Sequence, residues 1–400
     1  MSVSAKAIST AAAIRLRQRL QPEGGVGDKI FPPTFAGGVY NWEVRKLQGK
    51  DVQCVLLDSV AAQANRLEEA LATAVGKGLA LPELRVDFST EFPEIGSVSV
   101  LAAPHRIFDA IVRDSQVDGK AFSKSGLYAA LAKANVRNAN EIFANAPSAL
   151  LFGCWDSTGA AGGLGNKFAR AITAEVIGID AAFGETRGGI RLDPLAIVKE
   201  ASVTSKDALT WEVAKGAKAE KPVRPSEINH GNILVSTDST KHEFVLGEKL
   251  VEQSHITKGG VTCDHALQIA VISVNALRRL RFPEASGAAS ATRDAAAQRV
   301  LLALGLLALT LGREQGYWLR SRCGLVADGF ADFELVFGDG RCEPFQINAE
   351  DARSDFEDAV TAAKAAGLPW NGVQMLKPQA KLVDLIKKSR ELQALGKAEA

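Results

Sequence analysis

The hydrophobic positions of this chain recur with helical spacing in some stretches and as short apolar runs in others, so both element types are predicted. Residues 60–78 put Val60, Ala64, Leu67, Leu71 and Val75 on one face and end in glycine, which predicts a helix capped by Asp58 and Ser59. An apolar run precedes it at 52–57 (VQCVLL), and alternation follows at 84–89 (LRVDFS). Each predicts a strand. Strand, helix and strand in this order predict a βαβ unit, which a further strand at 97–102 develops into the start of an RRM-like or ferredoxin-like fold.

Further helices are predicted ahead of Pro22, from Pro104 through 103–115, over part of 126–145, and at 259–282, 293–312 and 381–395. Residues 317–326 and 333–337 return to sheet. Segments 21–38 and 224–233 read as loops, and the polar, Ala/Lys-rich stretch 206–221 as a flexible excursion. No internal repeat emerges.

The stretch 149–170 (ALLFGCWDSTGAAGGLGNKFAR) carries the most suggestive chemistry. It reads as an apolar strand, a corner at Trp155, Asp156, Ser157 and Thr158, a glycine-rich loop, and a helix starting near Asn166. Amide N–H groups of such a loop, a helix N-terminus, Lys167 and Arg170 together favour a phosphate. Asn166 follows Gly165 where a P-loop needs Lys and Ser or Thr, and no G-x-G-x-x-G spacing is present.

The totals narrow the field. Four hundred residues allow one elaborated domain or two, and 46% hydrophobic with 23% charged residues describes a globular chain. Lys plus Arg is 47 against 46 for Asp plus Glu, a net charge of +1, so any nucleic-acid role must rest on local basic patches. Five widely spaced cysteines without C-x-x-C favour free thiols and a cytoplasmic setting. The N-terminus has neither signal-peptide nor anchor character, and the most apolar run, 300–311, is too short to cross a bilayer. No membrane partner is expected.

Enzymatic readings find little support in the spacing. His255, Cys263, Asp264 and His265, with His230 and His242 upstream, are residue types that bind zinc, but they form no established metal motif. No G-x-S-x-G elbow appears, and Asp58, Asp87, Asp109 and Asp156 are scattered, with capping and turn roles open to Asp58 and Asp156. Basic residues gather at Arg15/Arg17/Arg19, Arg106/Arg113, Lys167/Arg170, Arg278/Arg279/Arg281 and Arg320/Arg322, a pattern suited to phosphate contacts as well as to solvated helix faces. A metal- or phosphate-dependent nuclease acting alone therefore stays open beside a polyanion-binding protein.

The motifs FPPTFAGG (31–38), LLDSVAAQANRLE (56–68), APHRIFDAIVRDS (103–115), LLFGCWDSTGAAGGLGNKFAR (150–170), RPSEINHGNI (224–233) and GGVTCDHALQIAVISVNALRRLRF (259–282) resemble the backbone subunit of the type I-U (I-G) CRISPR interference complex, a GSU-type CRISPR-associated family of the RAMP superfamily. The resemblance covers most of 30–330. It implies an α+β fold: an RRM-like, ferredoxin-like palm with large helical and loop insertions over 1–340, followed by a helical C-terminal extension over 341–400. The implied role is non-catalytic, without metal or cofactor. Such a subunit polymerises along CRISPR RNA with further copies of itself and leaves the bases free to pair with target DNA. Guide-handle-binding and large subunits and a recruited helicase-nuclease are the other expected partners. Carried onto this sequence, the RNA-binding candidates are Gln63, Asn65, Arg66, His105, Arg106, Arg113, Asn166, Lys167 and Arg170, with Arg278 and Arg279 added from the basic clusters.

Overall fold

Alternation of Ile14, Leu16 and Leu20 with Arg15, Arg17 and Arg19 makes a strand of most of the segment expected to be helical. In the computed structural model only Val3–Thr10 (α1) is helix, and Ala11–Pro22 (β1) buries Ile14, Leu16, Gln18 and Leu20 while Arg17 and Arg19 stay exposed. The alanine run raised helix propensity, but the period of two decided the outcome. The structure describes all residues except 1, 37, 158–166, 185–189, 206–209, 215–221, 235–238, 247–248, 257–258 and 395–400. Much of the expected excursion at 206–221 thus lies outside the described residues.

A hairpin of Trp42–Leu47 (β2) and Lys50–Asp58 (β3) leads into the expected helix, Val60–Gly76 (α2). The Ser59 side chain caps α2 by accepting from the Ala62 N–H. Glu83–Asp87 (β4) follows. The expected helix from Pro104 is replaced by a 3-10 turn at Arg106–Phe108 and one helical turn, Ala110–Arg113, capped by Asp109. Next come Ser148–Phe152 (α3), Cys154–Trp155 (β5), Lys167–Phe168 (β6) and Ile172–Ile179 (β7).

The expected long helix at 259–282 is mainly a strand, His265–Ser273 (β8), which turns into the short helix Val274–Leu277 (α4). Ala270 and Ile272 face the main core and Ala266, on the same face of the strand, a second cluster, while Leu267 packs in a small cluster on the opposite side. A strand apolar on both faces loses the alternation that distinguishes it from a helix. The C-terminal half then runs through Ala291–Glu314 (α5), Tyr317–Arg320 (β9), Cys323–Ala327 (β10), Asp332–Phe337 (β11), Cys342–Phe345 (β12), Ala349–Ala365 (α6), Val373–Pro378 (β13) and Ala380–Ala394 (α7).

Nine strands form the main sheet in the order β9-β10-β1-β8-β7-β3-β2, with β11 sharing an edge of β1 and β12 pairing beyond it. All these pairings are antiparallel. Within it, β1, α2, β7, β8, α5 and β11 make two split βαβ units with spatial order β11-β1-β8-β7, the ferredoxin-like arrangement. The fold is thus α+β with an RRM-like palm, but its strands are not those expected. β4 does not pair with β3; it lies in a second sheet, ordered Ser97–Ser99, β4, β13, Ser115–Val117, Lys120–Ala121. Spacing along the chain identified strands around α2 without identifying their partners.

Both palm helices cover one face of the sheet. Leu67 and Leu71 of α2 and the leucines of α5 share a core with Ile14, Leu16, Ala174, Ala270 and Ile272. Each such leucine contributes about 1.5–3 kcal/mol by leaving water. α5 is apolar and long enough to cross a bilayer, yet 72% of that window is buried inside the fold. Gly305 lets it approach the sheet, since a Cβ there would stand 2.9 Å from Ile272 Cδ1. Residues 341–400 supply the helices α6 and α7, with α6 packed on α5, and also the strands β12 and β13, the latter central to the second sheet.

Candidate nucleic-acid interface

The glycine-rich stretch folds differently from its sequence-based expectation. Its apolar start is the helix α3, and Lys167–Phe168 is a strand, so β5 and β6 flank residues 158–166 as an antiparallel pair with Cys154 opposite Phe168 and Trp155 opposite Lys167. Cys154 and Phe168 point inward, and burial pushes the Cys154 thiol up to about 12. Trp155 and Lys167 point outward, with Lys167 Nζ 5.2 Å from the centre of the indole ring. Lys167–Phe168 is strand where a helix was expected, and Asn166 and the glycines at 159, 162, 163 and 165 lie outside the described residues.

Gly153 turns the chain from α3 into β5 with φ +82°. Its bare α-carbon matters twice, because an added Cβ would sit 3.1 Å from both Phe168 O and Arg170 N. Two arginines tie this base down. Arg170 Nε donates to Phe152 O (3.1 Å), and Nη1 to Val60 O (3.4 Å) at the start of α2. Arg106 donates Nε and Nη2 to the two oxygens of Glu68 (2.6 and 2.7 Å) and Nη1 to Gly153 O (3.0 Å), while its guanidinium lies 5.7 Å from the centre of the Phe152 ring.

On the other side, β8 passes into α4. Ser273 caps this turn by accepting from the Ala276 N–H. Arg278 folds back, giving Nε and Nη2 to Ile8 O (3.1 and 2.7 Å), whereas Arg279 points into solvent. Between hairpin and turn lies a cavity of ≈410 Å³, with Lys167 and Phe168 on one wall and Ser273, Asn275 and Arg279 on the other. Leu150, Val136 and Leu280 add apolar surface, and none of the described lining residues is acidic. Two cations, a hydroxyl, an amide and an apolar floor can receive a phosphate with part of a sugar or base.

The remaining expected contacts disperse. Gln63 is buried, donating to Asp58 Oδ2 (2.7 Å) and accepting from Gln268 (2.8 Å). Arg66 Nε bonds Asp58 Oδ2 (2.9 Å), and its Nη2 bonds Leu319 O (2.6 Å). The Asp58 carboxylate serves this network, leaving the cap to Ser59. Arg106 is 8% exposed and engaged as above. Arg113 Nη2 bonds Asp114 (2.8 Å), and Arg278 and Arg170 spend their donors on carbonyls. Asn65 and His105 are exposed but do not line the cavity. Of the expected set, Lys167 and Arg279 alone among the described residues line it.

Trp155, Ser273 and Asn275 were not among the expected contacts. Trp155 was readable as the outward partner of Lys167 across a glycine-rich turn. Ser273 and Asn275 had no such signal, because their placement depends on β8 being a strand.

Among the described residues, no group of three or more His, Cys, Asp and Glu side chains converges as a metal site. His265 Nδ1 lies 2.7 Å from Asp264 Oδ2, burial raises the Cys263 thiol to about 11, and the side chain of His255 lies outside the described residues.

Residues 14–183 match the family model described as CRISPR-associated protein GSU0053. The match covers β1 from residue 14, α2, the 154–168 hairpin and β7, and ends before β8, α5 and β11 of the palm. A search of curated proteins finds no match. Among solved structures, the crystal structure of Thermofilum pendens Csc2 aligns over 99% of this chain and 81% of its own at 12% identity and a TM-score of 0.27, a likeness too low to carry an argument.

Proposed function

We propose that this chain is a non-catalytic, CRISPR RNA-binding backbone subunit of a type I interference complex, holding the guide by its phosphates at the cavity between the 154–168 hairpin and α4. The observation that carries the reading is the convergence of Lys167 and Arg279, from distant parts of the chain, on one cavity without an acidic lining residue among those described. The family match supplies the CRISPR context. Phosphate contacts of this kind fix a strand without reading its sequence, which leaves the bases to pair with target DNA. Further copies of the chain, the other complex subunits and a cytoplasmic setting belong to the same proposal, as does a palm spanning 1–340.

Binding of a labelled single-stranded RNA of mixed sequence, measured in chelator, tests it. The expected result is salt-sensitive binding with the RNA left intact. Metal-dependent cleavage of that RNA by the purified chain would favour the nuclease reading instead.

A further inference from the structure

We infer that Glu68 and Arg106 are positioning residues for RNA binding, acting through the hairpin that carries Lys167 and making no contact with RNA themselves. The inference rests on the reading of the Lys167–Arg279 cavity as a phosphate site. The family resemblance pointed the other way for Arg106, which it carried over with His105 as a backbone contact.

The geometry assigns Arg106 to the interior. Three of its nitrogens are directed at Glu68 and Gly153 O, and Phe152 lies against its plane. The residue is held at φ +54°, a left-handed conformation that a non-glycine side chain adopts only when its surroundings impose it. Glu68 is 2% exposed, on the face of α2 turned away from water. Burial pushes its carboxyl above the usual carboxylate range, and Arg106 pulls it back. A bidentate guanidinium–carboxylate pair fixes direction as well as distance. Here it joins α2 to the carbonyl of Gly153, the residue immediately before β5.

From that point the chain of contacts reaches the cavity in one step. Cys154 pairs with Phe168 and Trp155 with Lys167, while Ala171 N donates to Leu151 O on the same base (2.9 Å). Arg170, two residues beyond β6, reinforces the joint by bonding Phe152 O and Val60 O. Arg106 and Arg170 both act on the Glu68 carboxylate: burial lowers the Arg170 pKa from its usual value, Arg106 lowers it further, and Glu68 opposes both. Loss of the Glu68 charge should therefore release the hairpin and displace Lys167 from Arg279.

A double-mutant cycle on the full chain, read as RNA affinity over a range of salt, tests the inference. Glu68→Gln is expected to weaken binding about five-fold and to lower the salt slope by up to about 0.7, since displacing Lys167 gives up the one phosphate contact it makes. Lys167→Ala is expected to reduce the slope by about 0.7, the value for one phosphate on a single strand. With Lys167 already replaced, Glu68→Gln should cost almost nothing further; a general loss of fold would cost the same in both backgrounds. Arg106→Lys keeps the buried charge and is the second variant if Glu68→Gln does not fold. It should reproduce the loss and likewise add almost nothing to Lys167→Ala. Wild-type affinity in Glu68→Gln, or a full additional loss from Glu68→Gln or Arg106→Lys in the Lys167→Ala background, would overturn the positioning role. If Lys167→Ala itself binds as wild type, the phosphate-site reading fails, separately from the role of Glu68.

Discussion

Lys167 and Trp155 face each other across the hairpin, with the ammonium 5.2 Å from the centre of the indole ring. Lys167 also lines the cavity, and Trp155 is 43% exposed. An exposed indole next to the lysine proposed to bind phosphate is a platform on which a base can stack. Trp155→Ala is expected to cost RNA affinity by about 1–3 kcal/mol without changing the salt slope. Arg279→Ala should instead reduce the slope by about 0.7, as a lost phosphate contact does. Fluorescence anisotropy at several salt concentrations measures both.

Gly153 should tolerate no side chain. Its φ is +82°, and a Cβ would press on Phe168 O and Arg170 N, both backbone atoms that cannot rotate away. Gly153→Ala is expected to destabilise the fold by more than about 1 kcal/mol, measured by denaturant unfolding, and to weaken RNA binding together with it.

Gly305 sits where α5 crosses the sheet, and the space beside it is filled by Ile272 and Leu151. A leucine there would overpack the centre of the core, with an expected cost of about 1–3 kcal/mol. Thermal unfolding measures the loss.

Asp355 gives the fold an acid sensitivity. Its carboxylate accepts from Ser4 N (2.8 Å), Ser4 Oγ (2.6 Å) and Arg299 Nη2 (3.2 Å), tying α1 and α5 to α6. Burial raises its pKa, but the hydrogen bonds from the serines and Arg299 outweigh burial, and the net shift is downward. A depressed carboxyl pKa stabilises the fold above the unfolded value of about 3.9. That contribution is lost as pH falls from there through the lower folded value. Asp355→Asn should lower stability at neutral pH by about 3–5 kcal/mol, having left Arg299 without its buried partner, and the difference from wild type should shrink below about pH 4. Denaturant unfolding at neutral and acid pH measures it.

Much of the scaffold was legible in the sequence. α2 and α5 were readable from their apolar spacing, and α2 also from its serine cap, while β9 to β11 were readable as short apolar runs. β8 was not, because its two apolar faces remove the alternation that marks a strand. β1 carried a clear alternation of arginine with isoleucine and leucine, but the preceding alanines favoured helix. The cavity was half legible: Lys167 belongs to a glycine-rich motif and Arg279 to an arginine cluster, yet nothing in their spacing brings them together. Arg66, Arg106, Arg170 and Arg278 look like RNA contacts in a sequence because an arginine bonded to carboxylates or carbonyls has the same letter as a free one.

The most direct measurement is to produce the chain with a CRISPR array and its partner proteins, purify the assembly, and examine its nucleic acid. A guide-binding backbone predicts RNA of defined length in the complex, lost or shortened when Lys167 and Arg279 are both replaced by alanine. Assemblies that form without RNA would contradict the proposed function.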